Sequence, residues 1–194
     1  MQKVKSLILI AYALSFVMLT QLFAYGKENP SSEQQKINSA IEIIKQYGYK
    51  ENISILEGNN YTHKAVNIVF KDLSEVNYSY RNFYAITATD NNEDLYILIN
   101  NNLKSSGIKA LACLILHESN HCRENIPDSV SEEVVSFSKE TIFYIRLLSD
   151  DNSLQYKTDD RLIARLNKLK KIYDDTIRVY ITSNTNYVNY LKIK

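Results

Sequence analysis

Apolar positions fall into two spacings along this chain, and the switch between them outlines the fold. Ile37, Ala40, Ile41, Ile44 and Tyr47 recur every three or four residues, after Ser31 and Ser32 as N-cap candidates and before Gly48. That pattern predicts a helix over 32–47. Short β-rich runs follow at Asn52–Glu57, Ala65–Lys71, Phe83–Thr89 and Leu95–Asn100. The last two flank Asp90–Asp94, which reads as a hairpin loop. Ser105-Ser106-Gly107 closes the sheet region, and helical spacing returns. An apolar helix is predicted from Ile108 to about Cys122. Pro127-Asp128-Ser129 then breaks the chain and offers a new N-cap for a helix over 130–148. Asp150–Ser153 reads as a loop. A third helix starts near Thr158 and extends over about Asp159–Tyr180, with Leu162, Leu166, Leu169, Tyr173 and Ile177 on one stripe. The order is that of an α+β domain with a small mixed sheet of three or four strands.

Composition narrows the class without naming a function. The chain has 194 residues, 45% hydrophobic and 23% charged, which excludes a disordered or multi-span membrane protein. Net charge is +1, so no basic field points to nucleic acid. Residues 1–24 carry Lys3 and Lys5, an apolar run from Leu7 to Phe23 and the small Ala24. This is the pattern of a signal peptide, with an uncleaved anchor as the alternative. It implies an exported domain, 25–194, in the periplasm, the cell envelope or outside the cell. The membrane enters only through the leader. Cys113 and Cys122 lie nine residues apart on one predicted helix, ~13 Å along its axis. A disulfide needs Cα atoms within about 7 Å, so no bridge is expected between them.

Residues 117–121 read His-Glu-Ser-Asn-His. On a helix, the two histidines differ by one turn and about 40°, so both imidazoles can reach one metal ion. Glu118 lies about 100° round from His117, placed to take a proton from water rather than to bind the metal. The chain has only three histidines, and two are in this motif. A third protein ligand is sought on the next helix, among Glu132, Glu133 and Glu140. With Glu133 at 0°, Val134, Phe137, Thr141, Tyr144, Ile145 and Leu148 fall between about 20° and 120°, the stripe expected to be buried. Glu133 borders that stripe. Glu132 falls at about 260°, on the side expected to be solvated, and Glu140 at about 340°, two turns on. Glu133 is therefore the expected ligand and Glu140 the next candidate.

The HExxH helix followed by a Glu-bearing helix resembles the gluzincin metallopeptidases. Their third zinc ligand is a glutamate in a Glu-x-x-small pattern, matched here by Glu133-Val134-Val135-Ser136. The resemblance covers roughly residues 32–148. It implies a minimal zincin-like core, one zinc ion on His117, His121 and Glu133, and Glu118 as general base. It also implies a peptide or protein substrate paired with the sheet's edge strand just before the active helix, which would be Leu95–Asn101. Phe137 stands where related enzymes have an acid supporting the first histidine. The competing expectation is a catalytically inactive, zincin-like metal-binding or interaction protein of the cell envelope. A third is an envelope domain whose C-terminal helix packs on a partner. No sequence signal marks an oxyanion-stabilising residue; His63 and several tyrosines are candidates.

Overall fold

The computed structural model describes residues 31–58, 62–122 and 129–173. The expected leader, Arg123, the Pro127-Asp128 break and the expected helix beyond Tyr173 lie outside these. Contacts divide the chain at Ser31, and all that follows belongs to the unit Ser32–Lys194. The architecture is mixed α+β, with six helices and one three-stranded sheet among the described residues.

Helix α1, Ser32–Gln46, buries Ile37, Ala40 and Ile44. It stops where Gly48 takes φ 82°, a left-handed conformation that costs glycine little. Lys50–Glu57 forms a second helix, α2, where the sequence pattern suggests a strand. Its buried residues are Asn52, Ile53, Ile55 and Leu56, an i, i+1, i+3, i+4 set that closes on one helical face. Three apolar residues in six fit both periods; the deciding element is Asn52. Its amide donates to Ser119 Oγ at 2.8 Å and to Asn120 Oδ1 at 3.2 Å. Those bonds satisfy the polar middle pair of the HExxH motif. Gly58 ends α2 at φ 91°, and a Cβ there would stand 2.7 Å from the Lys64 carbonyl carbon.

Strands β1 (Asn67–Lys71), β2 (Ala85–Thr89) and β3 (Leu95–Asn100) form a sheet in the order β1-β3-β2. β1 runs parallel to β3, with Val69 opposite Leu98; β2 runs antiparallel, with Thr87 opposite Ile97. β1 and β2 are shorter than their sequence runs by two residues at the start. The chain crosses between them through a short helix α3, Leu73–Val76, and a 3-10 helix, Tyr78–Asn82. Asp72 and Asn77 start these two turns by accepting from the backbone N–H of Ser74 and Ser79. The hairpin loop forms as expected, with Asp90 Oδ1 accepting from the backbone N–H of Asn92 and Asp94. One expectation fails here. The strand before the HExxH helix, β3, lies in the middle of the sheet, because β1 occupies its other side. The edge nearest that helix belongs to β2.

Helix α4, Ile108–His121, runs through the centre of the unit and is buried on all sides from Ala110 to Asn120. It packs against α1, α5 and the sheet, with α2 and α6 closing over it. Ile97 and Ile99 of β3, Ile37 and Ile44 of α1, and Leu111 and Leu114 of α4 share one core. Fully burying each such side chain contributes about 1.5–3 kcal/mol. Helix α5, Val130–Asp150, starts at Ser129, whose Oγ accepts the Glu132 N–H at 3.2 Å. It extends two residues past its expected end, and a 3-10 helix, Asn152–Tyr156, replaces most of the expected loop. Helix α6, Arg161–Lys171, begins later than expected because Asp160 caps it. Asp160 Oδ1 accepts from Leu162 N at 2.9 Å, and Oδ2 accepts from Gly107 N at 2.7 Å. One carboxylate thus serves the N-termini of α6 and α4 together. No helix among the described residues is long and apolar enough to cross a membrane.

Candidate metal centre

The last two turns of α4 carry the motif against the first turn of α5. His117, His121 and Glu133 each offer one ligand atom, all within 4.8 Å of one another. The two Nε2 atoms face each other at 3.3 Å. The Glu133 oxygens lie 3.6 Å from His117 Nε2 and 3.8 Å from His121 Nε2. Two ligand atoms on one tetrahedral zinc at ~2.05 Å stand about 3.3 Å apart. The three residues therefore have the spacing of a shared cation site, a little open at the carboxylate.

What stands behind each imidazole sharpens the point. His121 Nδ1 lies 2.9 Å from Glu132 Oε1. His117 Nδ1 lies 3.1 Å from Glu140 Oε2, close enough for charge pairing though off the line of a good hydrogen bond. An ionised carboxylate only accepts, so it favours the tautomer with the proton on Nδ1. Both Nε2 lone pairs then point into the gap between the rings, together with the carboxylate of Glu133. Glu133 Oε2 and Glu132 Oε2 are buried without a hydrogen-bond partner among the described residues. A cation between the two rings and Glu133, either a metal ion or a proton, would satisfy these groups together.

The charge balance points the same way. Glu118, Glu132, Glu133 and Glu140 are all buried, and among the described lysines and arginines only Arg165 is buried with them. Burial pushes the His117 imidazole down. Close contact with Glu133 and Glu140, and the charges of Glu140 and Glu118, outweigh it and lift its pKa to about 10. Burial also pushes Glu133 up, but contact with His117 and the charges of His117, His121 and Arg165 hold it below the usual carboxylate range. The centre is thus a buried anionic pocket that stabilises positive charge on or between its imidazoles.

Glu118 lies outside the donor set. Its carboxylate accepts from Thr87 Oγ1 on β2 at 3.3 Å, and the same hydroxyl lies 3.4 Å from its carbonyl. Burial raises its pKa, against the lowering effect of His117 and His121. A carboxylate moved toward neutral pH is a better proton acceptor at that pH. The Phe137 ring packs edge-on against His117 at 4.6 Å between centroids. His63 is exposed at φ 55° in the turn after α2.

The structure therefore brings together His117, His121 and Glu133, and sets Glu118 beside them. It corrects the placing of Glu132, which is 7% exposed and not solvated. The helical wheel puts Glu132 opposite the main stripe, but at the first turn of α5 that side meets the end of α4. Glu140 is no ligand-distance member of the cluster; it stands behind His117. Arg165 and Thr87 contact Glu140 and Glu118, and the sequence singles out neither. Arg165 carried a signal, since it falls among Leu162, Leu166 and Leu169 on the buried stripe of α6. A charge there needs a buried partner. Compared with known proteins, the chain matches no family model, no curated protein and no solved structure.

Proposed function

We propose that this chain is an exported zinc-dependent peptidase with a zincin-like active site. The observation that carries the reading is the convergence of two Nε2 atoms and the Glu133 carboxylate within 4.8 Å of one another, with a carboxylate behind each ring. His117, His121 and Glu133 would hold the ion. Two imidazoles and a carboxylate with one open position form a donor set suited to catalytic zinc. Zinc bound there supplies a Lewis acid that polarises a carbonyl and makes water more acidic.

The chain's own residues do the rest. Glu118 takes a proton from the attacking water as its oxygen bonds to the peptide carbonyl carbon. It then gives that proton to the leaving amine as the C–N bond breaks. Thr87 keeps the Glu118 carboxylate turned toward β2. The side of β2 that meets no strand among the described residues offers backbone donors and acceptors to an extended peptide, a recognition mode that needs no particular side chain. That edge belongs to the strand whose Thr87 touches Glu118, so a bound peptide would pass beside the general base.

The test is zinc stoichiometry and peptide hydrolysis on the same preparation, for wild type and Glu118→Gln. We expect one zinc per chain in both, with hydrolysis about 100- to 10,000-fold lower in the variant. A wild-type chain that binds no zinc overturns the reading. A chain that binds zinc but cleaves none of a broad peptide set is instead a metal-binding envelope protein.

A further inference from the structure

We propose that Arg165 of α6 acts, through Glu140, as a positioning residue for His117, so that the C-terminal helix is part of the metal centre. The inference rests on the zinc reading above. Arg165 donates to both oxygens of Glu140: Nη1 to Oε1, and Nη2 to Oε2 at 2.8 Å. This is the paired fork geometry in which a guanidinium fixes both the place and the plane of a carboxylate. The oxygen that takes Nη2 is the one that faces His117 Nδ1 at 3.1 Å. Glu140 is fully buried and Arg165 nearly so.

Arg165 also touches the second group that holds the histidine. Its guanidinium lies 5.2 Å from the centroid of Phe137, the ring packed against His117. It lies 5.0 Å from the ring of Tyr84, the residue just before β2. One side chain from α6 therefore contacts both supports of His117 and the approach to the substrate-edge strand. Phe137 occupies the turn of α5 where an acid could have faced His117 directly. Glu140, one turn further on, reaches the ring instead, and the clamp from α6 fixes its carboxylate there.

The rival explanation is an ion pair that only joins α5 to α6. Such a pair, replaced by apolar side chains of similar size, is often neutral for stability. That difference supplies the test. Wild type, the double variant Glu140→Leu with Arg165→Met, and Arg165→Lys are purified as full chains. Zinc affinity is measured by chelator competition, and the visible absorption of the cobalt(II) form reports ligand geometry. Thermal unfolding in chelator reports the fold. We expect the double variant to unfold near the wild-type temperature while zinc binding weakens about 10- to 100-fold and the cobalt spectrum shifts. Wild-type affinity and spectrum in a folded double variant overturn the inference. Should the double variant not fold, Arg165→Lys decides. It keeps the charge but not the fork, so weaker zinc binding with a shifted spectrum supports the proposal, and unchanged values overturn it. Failure of wild type to bind zinc would instead remove the reading on which this inference rests.

Discussion

Glu132 Oε1 lies 2.9 Å from Nδ1 of His121, on the opposite side of the ring from the Nε2 that faces His117. Its neighbour Glu133 points into the gap between the two histidines. Adjacent helical residues project about 100° apart, and here that angle separates a carboxylate between the two Nε2 atoms from one behind the His121 ring. Substitutions should therefore differ in degree. Glu133→Ala leaves two protein ligands and should abolish tight zinc binding. Glu132→Ala removes the acceptor behind His121 and should weaken zinc binding about 10- to 100-fold. Chelator competition measures both. If Glu132→Ala has no effect, its carboxylate does not orient the ring.

The sequence makes some of this legible and hides the rest for physical reasons. HExxH on an apolar helix is a local signal, since one helical turn sets the spacing of His117 and His121. Glu133 follows from the phase of α5. Glu132 does not, because an average stripe cannot report that the first turn of α5 is covered on a second side by the end of α4. The Glu140–Arg165 pair joins two helices through residues 25 apart in sequence. Only the Arg in a leucine stripe hints at it. α2 is misread because Ile53, Ile55 and Leu56 satisfy both periods, and Asn52 gains its partners only from α4. The middle position of β3 depends on where β1 returns, which strand periodicity does not encode.

Thr87→Val tests whether β2 sets Glu118, the proposed general base. The substitution preserves shape and removes the hydroxyl that donates to Glu118 at 3.3 Å. One such bond contributes about 0.5–1.5 kcal/mol, which corresponds to a fall in kcat of up to ~10-fold. Zinc affinity should not change, since Thr87 touches no residue of the donor set in its hydrogen bonding. Unchanged kcat with a saturating peptide would show that Glu118 is oriented without it.

Asp151 provides a pH signature away from the centre. Hydrogen bonds from Lys109 and then Ser153 hold its carboxyl down at about 2. The Lys109–Asp151 contact, 2.8 Å long, joins the start of α4 to the end of α5. A carboxylate with a lowered folded-state pKa stabilises the fold above its unfolded value, ~3.9, and that share is lost as pH falls toward 2. Asp151→Asn should therefore lower the unfolding temperature slightly at neutral pH, where exposed pairs are weak. The gap between variant and wild type should close between about pH 4 and pH 2. A gap independent of pH over that range would mean the pair contributes nothing through charge.

The cysteines supply a probe of the proposed metal centre that does not depend on turnover. Cys113 and Cys122 are both free and buried. Burial pushes the Cys113 thiol well above its ordinary range, and burial with the nearby Glu118 charge pushes Cys122 up to about 12. The thiolate is the reactive form, so at pH 8 both should react slowly in the folded chain. Denatured without reductant, the chain should expose two thiols. A mass two units lower that shifts on reduction would show a bridge, which α4 forbids while it stays helical through its length. Cys122 caps α4 immediately after His121, with its Sγ donating weakly to the Glu118 carbonyl at 3.6 Å. Reaction there requires local opening of the turn that carries both His121 and Glu118. Zinc held by His121 binds the closed form, so adding it should slow labelling of Cys122 in proportion to zinc concentration over Kd. In His121→Ala that protection should disappear, while the free thiol count on denaturation stays at two. Equal labelling rates with and without zinc, in a wild-type chain that binds the ion, would place the bound ion away from the end of α4.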